Sequence, residues 1–295
     1  MKPWMRTVGL TLACTAAAGG AGALALVYSG WYDSSATQPH TPPVNAVLEA
    51  ALQRSITVRA ADIAVPPLDD PQRAIDGFRL FRAHCVQCHG APGVAPEPFA
   101  RGLMPAPAAL VDTARHWPPS EIYWVIRQGV KMTGMPAWQY RMSDAGMWDV
   151  VAFMKVLPGL SPAQYRDWES RYAGSGAPGP GPAVPAASRA AVPDATDLRL
   201  GDAETGRRVM QQYLCVTCHA IPGVVGANRH VGPPLGGIAN QRYIAGILPN
   251  TPANLVRWLR DPSAIDPMSA MPDLDVSEQD ARDMAAFLYT LDDAR

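Results

Sequence analysis

Two short runs carry the chemistry of this 295-residue chain: Cys85-Val86-Gln87-Cys88-His89 and Cys215-Val216-Thr217-Cys218-His219. Residues i and i+3 share one face of a helical turn, so both sulfurs of a run can bond to the two vinyl groups of one porphyrin. The histidine at i+4 lies on the same face and turns a ring nitrogen towards the iron. This is the attachment pattern of a c-type haem. Disulfides within each pair are an alternative in an oxidising compartment. A redox-active pair is another, but no βαβ pattern surrounds either run. A four-cysteine zinc site would have to join runs far apart in the chain. None of these explains a histidine directly after both pairs.

The face of the iron opposite the histidine calls for a second ligand. A thioether there raises the reduction potential. Met135-Pro136 and Met271-Pro272 are the candidates, 46 residues after His89 and 52 after His219. Each methionine sits in a proline-held loop shortly before a closing helix. Met132, Met142 and Met268 compete, and Met104 reads as packing. A ligating histidine also donates its other N–H, commonly to a carbonyl. The loop Gly232-Pro233-Pro234-Leu235 offers Pro233 or Pro234 to His219, and Pro105 or Pro107 stands in the equivalent place for His89. His84 should point away from the ring, His40 and His116 sit beside prolines near solvent, and His230 reads as a bystander.

The elements that must hold these residues repeat in order. A helix around Asp76–Phe81 precedes the first run, and one around Glu204–Met210 precedes the second. After each Met-Pro a helix starts near a serine, Ser143 or Ser277, with Ala152-Phe153 and Ala286-Phe287 in register. Ser120 is expected to cap a helix ending at Gln128, with Gly129 as its stop. Thr251 caps another with Pro252 at its first position, running to Arg260. The two units, 71–160 and 197–295, are therefore small, helical and loop-rich. Thirty prolines, 25 glycines and few strand-like runs argue against a large sheet. Residues 161–196 read as a Pro/Gly/Ala-rich linker, whose stretch 174–193 has a reach of about 60 Å when extended.

Ahead of these units, Lys2 and Arg6 precede an uncharged run over residues 7–28, about 33 Å as a helix. Residues 1–33 thus read as a retained membrane anchor, with Trp31 and Tyr32 at the interface. A signal peptide cleaved near Ala23-Leu24-Ala25 is the rival. Either way the rest of the chain is exported, and Cys14 is a small membrane residue. Residues 34–70 form a proline-containing segment in which Val44–Val58 should be one helix. The net charge of −1 gives no footprint for nucleic acid.

Taken together, these residues resemble class I cytochrome c, twice over: Cys-x-x-Cys-His, a Gly-Pro loop and Met-Pro recur across 71–160 and 197–295. The resemblance implies an all-α fold, two tandem class I cytochrome c domains behind an N-terminal transmembrane helix. It implies terminal helices crossing at Gly77/Phe153 and Gly206/Phe287. It implies two covalently bound haem c groups, one on Cys85 and Cys88 with axial His89 and Met135, the other on Cys215 and Cys218 with axial His219 and Met271. The chain looks like membrane-anchored dihaem cytochromes c of proteobacterial respiratory chains. Around Tyr243-Ile244-Ala245-Gly246 and Pro249-Asn250-Thr251-Pro252 it is similar to cytochromes accompanying haem-copper terminal oxidases. The first unit departs from the pattern, with Pro105-Ala106-Pro107 in place of Gly-Pro-x-Leu.

Two six-coordinate irons leave no open site for a substrate. The expected role is single-electron transfer on the periplasmic face of a bacterial inner membrane, without catalytic residues. A quinol-oxidising complex or a dehydrogenase would be the donor and a terminal oxidase the acceptor. A catalytic dihaem peroxidase and a cytochrome subunit of a periplasmic dehydrogenase are the rival readings. Residues 71–160 carry nine basic and six acidic residues, net +3, and 197–295 carry nine and twelve, net −3. The units would then suit opposite partners, or each other, unless the difference is only that of a solvated surface.

Overall fold

The computed structural model describes residues 2–173 and 199–292. Met1–Gln38 form one unit and Pro39–Arg295 a second. The first holds helix α1 (Pro3–Ser29), which starts with Pro3 at its first position and stops at Gly30 in the left-handed region. Its 27 residues are long and apolar enough to cross a membrane, and none is buried within the protein.

Among the described residues of the second unit, the regular structure is almost all helical. Helix α2 (Pro42–Ala60) spans the expected Val44–Val58 stretch. Then come α3 (Pro71–His84), α4 (Val86–His89), α5 (Leu110–His116), α6 (Pro119–Gln128), α7 (Asp144–Val156) and α8 (Pro162–Tyr172). The second half repeats the plan with α9 (Ala203–Gln212), α10 (Pro252–Arg260), α11 (Pro262–Ile265) and α12 (Glu278–Leu288). The strands among the described residues are the two-residue β1 (Tyr243–Ile244) and β2 (Leu248–Pro249), paired antiparallel.

Local signals account for most helix ends. Asp70, Ser143, Asp202, Thr251 and Ser277 each accept a backbone N–H of the first turn, satisfying donors that a helix start leaves orphaned. Ser120 does not cap α6. Pro118 holds that place, extended, and Pro119 occupies the first helical position. A proline pushes its predecessor out of the helical region and needs no partner for its missing N–H. Residues 161–173, read as the start of a linker, instead contain α8, begun by a full capping box between Ser161 and Gln164. The remainder of that stretch, 174–196, lies outside the described residues.

Each half is built on one helix crossing, α3 on α7 and α9 on α12. The contact points lie one turn before the phenylalanines expected there. A Cβ on Gly77 would run into the carbonyl of Asp149 at the start of Val150, and one on Gly206 into the carbonyl of Asp283. Only a glycine lets the two backbones approach this closely. Phe153 sits deeper: its ring meets Phe78 at 5.3 Å edge-on and Phe81 at 5.1 Å. Tyr165 and Trp168 of α8 cover the same cluster, 5.7 and 5.6 Å from Phe78. That cluster needs α8 as its lid, which is why a polar-looking segment is helical. Arg73 closes the first crossing with a 2.7 Å ion pair to Asp149. Asp283, buried, accepts from the Asp202 N–H at 2.7 Å and from Gln279 at 3.0 Å.

Replacing Gly77 or Gly206 with alanine should therefore destabilise the protein by about 2–3 kcal/mol, the cost of overpacking a close helix contact. A drop of roughly 10 °C or more in the thermal unfolding midpoint is expected. An unchanged midpoint would show that the crossing has slack.

Candidate haem-attachment sites

In the first half α3 ends at His84, and Cys85 opens the short helix α4. The His89 N–H donates to the Cys85 carbonyl at 3.0 Å, holding the i+4 relation. Gly90 then turns the chain out at φ +63. A side chain there would collide with the Val94 carbonyl. In the second half the turn is a 3-10 helix, Cys215–Thr217, entered through Leu214 in the left-handed region. The His219 N–H still donates to the Cys215 carbonyl at 3.0 Å, so the spacing survives the change of helix type.

Both histidines are oriented from behind. His219 Nδ1 lies 2.7 Å from the Pro233 carbonyl, in the expected Gly-Pro-Pro loop. That loop is sewn to the cysteine turn by the Val231 and Gly232 N–H groups, which donate to the Cys218 carbonyl at 3.0 and 2.9 Å. Gly232 lies flat on the imidazole, where a Cβ would collide with the ring. His89 Nδ1 lies 2.7 Å from the carbonyl of Ala108, not of Pro105 or Pro107. The carbonyl that meets the ring lies in the expected loop, one residue beyond Pro107. Prolines there shape the path, and α5 starts two residues later, so the last free carbonyl before the helix faces the ring. Burial lowers the pKa of both imidazoles, and the carbonyl contacts oppose that shift. Each ring is thus neutral, with Nδ1–H engaged and the Nε2 lone pair available.

No disulfide joins Cys85 to Cys88 or Cys215 to Cys218. Burial pushes Cys85 and Cys215 up to about 12, so at neutral pH they are apolar sulfurs rather than thiolates. Among the described residues no three His, Cys, Asp or Glu side chains gather to hold a metal ion. The four-cysteine zinc arrangement has no counterpart there. Two cysteines three residues apart followed directly by a back-bonded imidazole are the donor set that a covalently held haem needs, so the residues present fit it.

A Met-Pro loop packs against each core as well. Cys85 and Met135 pack against one set of buried residues, which includes Ile122, Met147 and Trp148. Cys215 and Met271 pack against another, with Leu255, Val256 and Met284. Met132 and Met268 are 88% and 60% exposed and so stand outside these cores. Met142 does pack with Met135, but lies over the first turn of α7 beside Gly146. The His84 ring lies 5.1 Å from that of Trp138, tilted by 47°, and His230 is exposed.

A feature not singled out from the sequence is the brace on each methionine. The Met135 N–H donates to Thr133 Oγ1 at 3.0 Å, and the Met271 N–H to Ser269 Oγ at 3.1 Å. The signal was present as Thr133-Gly134-Met135-Pro136 and Ser269-Ala270-Met271-Pro272: a hydroxyl two residues before each Met-Pro, the spacing of a side-chain turn. Gly129 contributes too, since a Cβ there would meet the backbone of Met135, Pro136 and Ala137.

A cysteine pair with a back-bonded histidine, sharing a core with a Met-Pro loop and set on crossed helices, is the arrangement of a c-type cytochrome domain. The chain belongs to the family described as "Cytochrome C oxidase, cbb3-type, subunit III", whose model matches residues 72–154 and 201–288. It is a cytochrome c carrying covalently bound haem for electron transfer, and it has a helix fit to associate it with a membrane. It is also similar to a cytochrome c oxidase subunit 2 of Alkalihalophilus pseudofirmus, 36% identical over 90 residues, 30% of this chain and 25% of the relative. A cytochrome c oxidase subunit 2 of Bacillus sp. strain PS3 is 37% identical over 59 residues, 19% of this chain and 17% of the relative. The chain thus spans a quarter or less of the curated relatives it matches. No solved structure matches.

Thr133→Ala and Ser269→Ala should each cost about 1 kcal/mol, the net worth of one hydrogen bond. Urea unfolding measures that cost, and amide exchange should quicken at Met135 or Met271 respectively. Unaltered exchange would remove the brace from the account.

Proposed function

We propose that the chain is a dihaem electron relay anchored in a bacterial inner membrane by residues 7–28, with both cytochrome domains, 71–160 and 197–295, in the periplasm. One haem c is bonded to Cys85 and Cys88 with His89 and Met135 as axial ligands. The other is bonded to Cys215 and Cys218 with His219 and Met271. Bound haem supplies reversible one-electron iron chemistry. The chain supplies two neutral imidazoles held by Ala108 and Pro233, and two thioethers on hydroxyl-braced loops. The observation that carries this reading is the duplication of the arrangement, down to the hydroxyl brace on each methionine.

Electrons enter from a quinol-oxidising complex or a dehydrogenase and leave to a terminal oxidase. The oxidase context is supported by the family's description and by the printed names of the relatives. Saturation of both irons favours a carrier over a peroxidase, which needs an iron open to peroxide.

The purified chain should contain two haems, counted by the pyridine haemochrome spectrum. Met135→Ala or Met271→Ala should lower the potential of one haem by on the order of 0.2 V, within the roughly 0.8 V that axial ligands span. Each variant should also open that haem to carbon monoxide. A parent protein that already binds carbon monoxide, or that turns over peroxide, would falsify the carrier reading.

A further inference from the structure

Ahead of the linker-like stretch, the two halves meet through the loops that orient their iron ligands. The first-half loop around Ala108, which holds His89, is flanked by three contacts to the second half. Arg101 Nη1 donates to the Leu274 carbonyl, three residues beyond Met271. Gly102 faces Gln212 of α9 so closely that a Cβ would lie 2.6 Å from its side-chain oxygen. Asp112 Oδ2 lies 3.5 Å from Arg229 Nη1. Arg229 stands three residues before Gly232, which lies on the His219 ring, and four before Pro233, which holds it. Ala95 and Ala106 of the first half pack against the second core, the one that Cys215 and Met271 also join.

Helix α2 ties the same place from outside. Its Glu49 accepts from Arg229 Nη2 at 3.2 Å. Farther along, Gln53 and Thr57 donate to the buried Glu121 of α6 at 3.1 and 2.7 Å, and Ile56 and Ala60 are buried. Arg229 therefore joins three segments: α2, the start of α5 in the first half, and the His219 loop of the second. Asp112 is mostly buried, 13% exposed, and its other oxygen lies 3.2 Å from His116 Nδ1.

We infer that Arg229 is a positioning residue: together with Arg101 and α2 it clamps the His89 loop against the His219 and Met271 loops, so that the two haem sites exchange electrons across a fixed intramolecular interface rather than as freely tethered domains. The inference rests on the dihaem reading above. In the exchange one electron leaves the reduced site and enters the oxidised one, and no bond or proton changes hands. The clamp sets the separation and orientation of the two sites. Because the cation is 41% exposed, salt weakens it: the screening length falls to about 3 Å at 1 M.

The test uses the full haem-loaded chain in detergent. Its readouts are hydrogen–deuterium exchange over 42–60, 101–112 and 229–235, and the rate of inter-haem equilibration after photoreduction by one electron. Arg229→Ala should quicken exchange in all three segments and slow equilibration at least fivefold. Arg229→Lys, which keeps the cation, should retain most of both, and 1 M salt should move the parent towards the Arg229→Ala behaviour. Parent-like exchange and parent-like equilibration in Arg229→Ala overturn the clamp. So does loosened exchange with an unchanged rate, since the interface would then not set the electron path. A chain with fewer than two haems overturns the dihaem reading instead, and the exchange of 101–112 and 229–235 still decides whether Arg229 joins them.

Discussion

A buried imidazole serves an iron only if its second nitrogen is engaged, and the protein is arranged around meeting that need twice. The contacts from His89 to Ala108 and from His219 to Pro233, each 2.7 Å, select one tautomer, aim one lone pair and offset the cost of burying a polar ring. Everything upstream follows from bringing a carbonyl to that point. The cysteine turn presents the ring, Gly90 or Gly232 clears space beside it, and a proline-rich loop supplies an oxygen with no helical partner. The two halves reach the same geometry by different local routes, an α turn in one and a 3-10 turn in the other. The constraint therefore acts on the ring and its carbonyl rather than on the helix type.

The crossed helices hold this arrangement, and glycine decides how closely they cross. Gly77 and Gly206 admit the partner backbone where any side chain would separate the helices. In the first half large aromatic rings fill the space beside the crossing, where Phe78, Phe81, Phe153 and Tyr165 are fully buried. Helix α8 exists to cover that aromatic cluster. The second half has no described counterpart of α8, and its core packs Trp258 and Phe287 among Val256, Met284 and Leu288.

A proline- and glycine-rich connection between two folded units suggests beads on a string. Yet the halves share contacts through Arg101, Gly102 and Arg229, and α2 touches both. Surface ion pairs such as these contribute little individually. What gives them consequence is their position on the ligand-bearing loops. A carrier gains from holding its donor and acceptor sites at one separation, and the net charges of +3 and −3 suit domains that face each other.

How much was legible in the chain itself follows from how far each decision reaches. The haem motifs, the helix caps at Ser143, Thr251 and Ser277, the stop at Gly129 and the Met-Pro loops depend on residues within a turn or two of each other, so the sequence determined them alone. The cytochrome class followed, because covalent attachment demands a fixed local spacing. The carbonyl for His89, the crossing one turn before Phe153, the docking of α8 on the aromatic cluster and the joining of the halves depend on atoms far along the chain. Each of those was decided by which backbone could approach which ring once the core had closed, and such close approach is a property of packing that no local pattern encodes.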